Sequence, residues 1–110
     1  LLQVIRAIKQ AINIPVVPLS SDKIQEQIIY TPIPLSDNGI IYSYQLRLNI
    51  VANSLANAET YDEAIRKVVL NYGDKNDLSN ILDITVNGGG TLTSEAGVHR
   101  ITNYVIKESR

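Results

Sequence analysis

From Gly39 to Val51, apolar and polar residues alternate almost without interruption. Ile40, Tyr42, Tyr44, Leu46, Leu48 and Ile50 fall on one side, and Ser43, Gln45, Arg47 and Asn49 on the other. A period of two is that of a strand with one dry and one wet face. The run is long, since about 5–6 residues is usual. Asn53 to Glu59 then form a polar connector into an amphipathic helix. Thr60-Tyr-Asp-Glu63 has the form of a capping box, in which the Thr hydroxyl and the Glu carboxylate each satisfy the other's backbone N–H. Tyr61, Ala64, Ile65, Val68 and Tyr72 recur at helical spacing, and Gly73 is placed to end the helix in the left-handed conformation. Asp62 with Arg66, and Glu63 with Lys67, are i,i+4 pairs in the favourable order.

The rest of the chain supplies one more helix and four more strands. Leu1, Ile5, Ile8 and Ile12 form a helical stripe to about Asn13, which Pro15 ends. Leu1 already lies within that stripe and no Met opens the chain, so further residues are expected upstream. Ile14 to Leu19 is extended, and its two prolines assign it to a sheet edge. Ile24 to Ile33 is a second strand with Ile24, Ile28 and Tyr30 inward. Thr31 to Gly39 reads as a turn-rich hairpin tip. Ile81 to Asn87 alternates with Leu82, Ile84 and Val86 inward, and Gly88-Gly-Gly90 ends it; Thr91-Leu-Thr either extends it past a bulge or is loop. Val98 to Lys107 closes the chain with Val98, Tyr104 and Ile106 on one face and Ile101 and Val105 on the other. The expected fold is therefore a single α+β domain over residues 1–110, a mostly antiparallel sheet with two helices packed on it, in the order α-β-β-β-α-β-β. Ile65 and Val68 are expected to pack on Leu46 and Leu48.

Composition narrows the partners. There is no Cys, Met, Trp or Phe, so the core is built of Ile, Leu and Val, with Tyr as the aromatic. Disulfides and thiolate metal sites are excluded, and lack of Cys is more typical of the cytosol than of a secreted protein. Apolar runs fall short of the ~18–20 residues that span a bilayer. Ten basic and eleven acidic residues interleave to a net charge of −1, which argues against sequence-specific nucleic-acid binding.

Candidate chemistry is sparse. His99 has Ser94 and Glu95 near it in sequence, but no nucleophile elbow surrounds the serine. Gly88 to Gly90 lacks the Lys-Ser/Thr and following helix of a phosphate loop. Asp74, Asp77 and Asp83 lack the spacing of a calcium loop. No catalytic, cofactor-binding or metal residue is expected. Residue types and spacings alone leave the function open.

The order of elements carries a resemblance. An N-terminal helix at Leu1–Ile12, a short strand at Pro15–Pro18, the long strand Ile40–Val51, the helix Thr60–Tyr72 and a final pair, Ile81–Gly90 with His99–Lys107, follow one another. In this the chain resembles the tail terminator and minor capsid proteins of long-tailed bacteriophages and their prophages. The resemblance implies a structural, non-enzymatic protein of the virion neck, assembled in the bacterial cytoplasm. It implies a hexameric ring that ends tail-tube growth and offers the surface to which the head joins, with tail-tube and head-completion proteins as partners and no membrane. Self-association is expected through two projecting segments. One comprises Thr31, Pro32, Ile33, Pro34, Asp37 and Asn38; the other comprises Gly88, Gly89, Gly90, Thr91 and Thr93. The alternative is a small α+β ligand-binding or regulatory module, distinguished by a dimer with a closed apolar pocket.

Overall fold

In a computed structural model describing residues 2–18, 26–74, 81–94 and 97–109, the elements are α1 (Leu2–Ala11), β1 (Val16–Val17), β2 (Gln27–Asp37), β3 (Ile41–Ala52), α2 (Leu55–Asp74), β4 (Ile81–Ser94) and β5 (Gly97–Ser109). The order is the expected α-β-β-β-α-β-β. The five strands form one sheet in the order β1-β2-β3-β5-β4, antiparallel except for the short β1–β2 pair. Leu19 and Ile24, both assigned to strands from the sequence, lie outside the described residues.

Alternation decides which face is dry. Tyr44, Leu46, Leu48 and Ile50 of β3 are buried, beside Ile28 of β2 and Tyr104 and Ile106 of β5. Onto this face α1 sets Val4, Ile5 and Ile8, and α2 sets Ile65 and Val69, giving one continuous core. Ile65 joins Leu46 and Leu48 as expected, but Val69 replaces Val68, which is only half-buried. Ile40, expected inward, sits in the hairpin turn and is 72% exposed. In β4 an irregularity between Ile81 and Asp83 brings Ile81 onto the same face as Ile84, and both are buried; Val86 lies on that face too but is 40% exposed.

Both ends of α2 differ from the sequence expectation. The helix α2 starts five residues before Thr60, because Ser54 is its cap: Ser54 Oγ accepts the Asn57 N–H at 3.2 Å, and the Ser54 carbonyl accepts that of Ala58 at 3.0 Å. The Thr60 hydroxyl instead donates to the Ala56 carbonyl at 2.8 Å, inside the helix. Gly73 lies within the helix, which continues to Asp74, so it does not form the left-handed end.

Neither proposed projecting segment is a loop. Thr31 to Asp37 belongs to β2, and the turn itself is only Gly39–Ile40, with Gly39 at φ 86° and the Asn38 side chain accepting the Ile40 and Ile41 N–H groups. Gly88 to Ser94 belongs to β4, which passes through a bulge between Val86 and Gly89 and pairs with β5 to its end. Gly89 is required there: a Cβ on it would come within 2.1 Å of the Ile101 carbonyl oxygen.

Candidate functional site

Both helices lie on one face, and among the described residues no element packs on the other. The register sets its side chains in rows that cross the strands. Ile29, Asn49 and Ile101 form one row, Thr31, Arg47 and Asn103 the next, and Ile33, Gln45 and Val105 a third. The outer two rows place an amide between two branched aliphatic residues, and all six of those side chains are half-buried. Asn49 Oδ1 is fully shielded and accepts no hydrogen bond. In the middle row Arg47 Nε donates to Asn103 Oδ1 at 3.1 Å. The face is thus neither a packed core nor a solvated polar surface, and it spans β2, β3 and β5.

Polar groups also gather on the helix side, around Asp62. Its side chain is buried in the α2 stripe, between Ala58 and Ile65. Asp62 Oδ1 accepts the Thr102 hydroxyl at 2.7 Å, and Oδ2 accepts Arg100 Nε at 3.2 Å. Arg66 Nε forms an ion pair with the same Oδ2 at 3.3 Å, and Arg100 Nη1 reaches Thr91 Oγ1 at 2.8 Å. These contacts tie α2 to β5 and β4. The expected Asp62–Arg66 pair is present, yet sequence spacing missed the burial of Asp62. The signal was available: Ala58, Asp62, Ile65 and Val69 are spaced as one helical stripe with a carboxylate in it. Beside this cluster Tyr104 is wholly buried and its hydroxyl has no partner. Burial, aided by the charge of Asp62 and opposed by Arg66, raises the ionisation of Tyr104 far above the ordinary phenol value.

Glu26 fastens a second junction. Its Oε2 accepts the Asn53 N–H at 3.0 Å and Asn57 Nδ2 at 3.1 Å, and its Oε1 accepts the Tyr61 hydroxyl at 3.0 Å. The Asn53 N–H bond is the main influence holding this carboxyl below its ordinary value; the Tyr61 and Asn57 bonds act in the same sense and desolvation opposes them. Tyr44 donates to Glu108 Oε1 at 2.7 Å and is held protonated, mainly by burial and then by that bond.

Of the residues expected to make contacts, Thr31 and Ile33 lie on the uncovered face. Pro32 and Pro34 lie on the helix side of β2, beyond the helices and exposed, and Asp37 and Asn38 stand at the turn. Gly88 to Thr93 lie along β4, at the opposite side of the sheet, so the two groups are not brought together. His99 is half-buried on the uncovered face, opposite Val51 and Leu92. Glu95 and Asp77 lie outside the described residues; Asp74 ends α2, and Asp83 pairs across to Lys107. Among the described residues, no group of three or more His, Asp or Glu side chains is placed to hold a metal, and no helix is long and apolar enough to cross a membrane. No family model matches the chain, and no curated protein matches it.

Proposed function

We propose that this chain is a structural subunit of a phage or prophage neck, one of a hexameric ring that ends tail-tube growth and presents the surface for head joining. The observation that carries the proposal is the one-sided sheet. Burial of Ile29, Ile33, Ile101 and Val105 is left half complete within a single copy, and each such side chain contributes roughly 1.5–3 kcal/mol when fully buried. A neighbouring subunit or the tube end completes that burial. The amide of Asn49, set between its apolar flanks with its shielded Oδ1 unpartnered, gives the contact its register, since an unpartnered buried amide is costly. The order of elements, on which the resemblance to tail terminators rests, also supports this reading. So does the net charge of −1, because a strongly basic lumen would retain DNA in passage. In this role the chain works in the virion neck after assembly in the host cytoplasm, contacts tail-tube and head-completion proteins, and catalyses nothing.

The test is sedimentation of the purified chain beside Ile29→Lys, which sits on the uncovered face far from β4. Wild type is expected to close into rings of six, and Ile29→Lys to remain small with an unchanged circular dichroism spectrum. Loss of the gene from its phage should give overlong tails without heads. Normal tails in that deletion, or equal assembly of Ile29→Lys, would sink the proposal.

A further inference from the structure

The two edges of the sheet are built differently. All four prolines, Pro15, Pro18, Pro32 and Pro34, lie on the β1–β2 side. The direction of each backbone N–H follows from one bond and the register. Ile28 donates to the Pro15 carbonyl at 2.8 Å, so its N–H points away from β3. Alternate residues repeat that direction, which makes positions 30, 32 and 34 outward-facing. Prolines at 32 and 34 therefore delete outward donors and leave the ladder to β3 intact, a common way to blunt an edge.

The same reasoning carried across the sheet identifies the outward groups of β4. Ile28 and Ile50 face away from each other, so Ile50 faces Arg100, and Arg100 in turn faces away from Thr91. Gly89, Thr91 and Thr93 thus direct their N–H and C=O groups outward, as do Ile84 and Val86 on the far side of the bulge. No proline interrupts β4, and no described strand pairs with this edge.

We infer that this edge pairs with the same edge of a second copy, antiparallel about a two-fold axis through Thr91, joining two sheets into one. The chain's other edge is closed to the role by its prolines, which leaves β4 as its own partner. The side chains are self-complementary in this register. Thr91 meets the partner's Thr91, Gly89 meets the partner's Thr93, and Leu92 meets the partner's Gly90. Leu92 is 63% exposed, and the position of a Cβ on Gly90 is open space. Both lie on the uncovered face beside a groove of about 360 Å³ that reaches Ile101 and Asn103. Each Leu92 can therefore lie over the other copy's Gly90. The contact is isologous and stops at two copies, so it is distinct from the head-to-tail contacts of a ring and does not rest on the proposed function. A strand edge with one leucine on each side is smaller than the roughly 1,200 Å² of a standard interface, so the dimer is concentration-dependent.

Because the chain has no cysteine, an introduced one is the sole thiol. Hydrogen-bonded residues opposite one another lie about 5.5 Å apart between Cα atoms, within disulfide range. Thr91→Cys is expected to form an intermolecular disulfide readily on mild oxidation, while Thr93→Cys and Ile40→Cys are not. Tested in the Ile29→Lys background, where the ring contact is removed, Thr91→Pro and Gly90→Leu should stay folded by circular dichroism and sediment as monomers at concentrations where Ile29→Lys alone dimerises. Cross-linking of Thr93→Cys or Ile40→Cys at the rate of Thr91→Cys would overturn the pairing. So would undiminished dimerisation of a folded Thr91→Pro in that background, or an Ile29→Lys chain that is monomeric throughout and whose Thr91→Cys does not cross-link.

Discussion

The buried groups that matter most are the ones whose hydrogen bonding is least alike. Asp62 has every near neighbour a carboxylate needs: a hydroxyl from Thr102 and guanidinium nitrogens from Arg100 and Arg66. Tyr104, adjacent in the same layer, has a hydroxyl with none. Truncating a satisfied buried acceptor strands its partners, whereas removing an unsatisfied hydroxyl relieves a desolvation cost. Asp62→Ala is therefore expected to lower stability by about 2 kcal/mol, moderated because both arginines can turn to water. Tyr104→Phe should gain up to about 1 kcal/mol. Urea midpoints check both, and a destabilised Tyr104→Phe would mean that its hydroxyl is paired. Glu26 makes a pH prediction. Its folded value lies below its ordinary 4.5, so its contribution is present above the unfolded value and is lost as pH falls through the lowered one. Glu26→Gln should flatten the acid limb of the stability curve and leave its shape around neutral pH unchanged. Apart from the i,i+4 pair of Asp62 with Arg66, none of these partnerships was legible from spacing, since Glu26 and Tyr61, or Asp62 and Thr102, meet only once the sheet and helix are docked.

At the scale of elements, the sequence misled where a local motif competed with a better one nearby. Thr60-Tyr-Asp-Glu63 satisfies the form of a capping box, but Ser54 caps first and lets Leu55 to Glu59 join the helix. Ser54→Ala should cost about 1 kcal/mol, while Thr60→Ala, which loses only a bond back to the Ala56 carbonyl, should cost little. Thermal melts of the two variants separate the two caps, and a larger loss at Thr60 would restore the later start. Prolines misled in the same way. Two of them between Thr31 and Asn38 read as a turn, because proline removes a ladder donor. The lost donors here point off the sheet, so β2 continues to Asp37. Glycines at 88–90 likewise read as an end, although a single bulge absorbs them and the pairing resumes at Gly89. Composition punctuates a strand only when the deleted bond belongs to the ladder, and that depends on a parity the sequence does not carry by itself.

For the molecule as a whole, the element order was legible because period-two alternation and a 3.6-residue stripe are properties of each segment alone. The identity of the covered face was legible too, for Leu46, Leu48 and Ile50 outweigh their wet counterparts. What alternation conceals is that the wet face is only half wet, since Ile29 and Ile101 flank Asn49 from strands distant in sequence. One core follows from both helices sharing one face. Val4 of α1, Ile65 of α2 and Tyr104 of β5 belong to the same cluster, so local damage there is not contained. Ile65 is fully buried against that cluster, and a carboxylate in its place has no cation to meet. Its desolvation costs several kcal/mol, on top of the ~1.5–3 kcal/mol of lost burial, against a total stability of about 5–15 kcal/mol for a domain of this kind. Ile65→Asp should therefore unfold the entire chain at neutral pH, removing helix and strand signals together. Val68→Asp, three residues on, sits where the side chain is half-exposed and should fold with a modest loss. Circular dichroism of the pair decides the orientation of α2. A folded Ile65→Asp beside an unfolded Val68→Asp would mean that the helix is turned about its axis by about 60° from this packing.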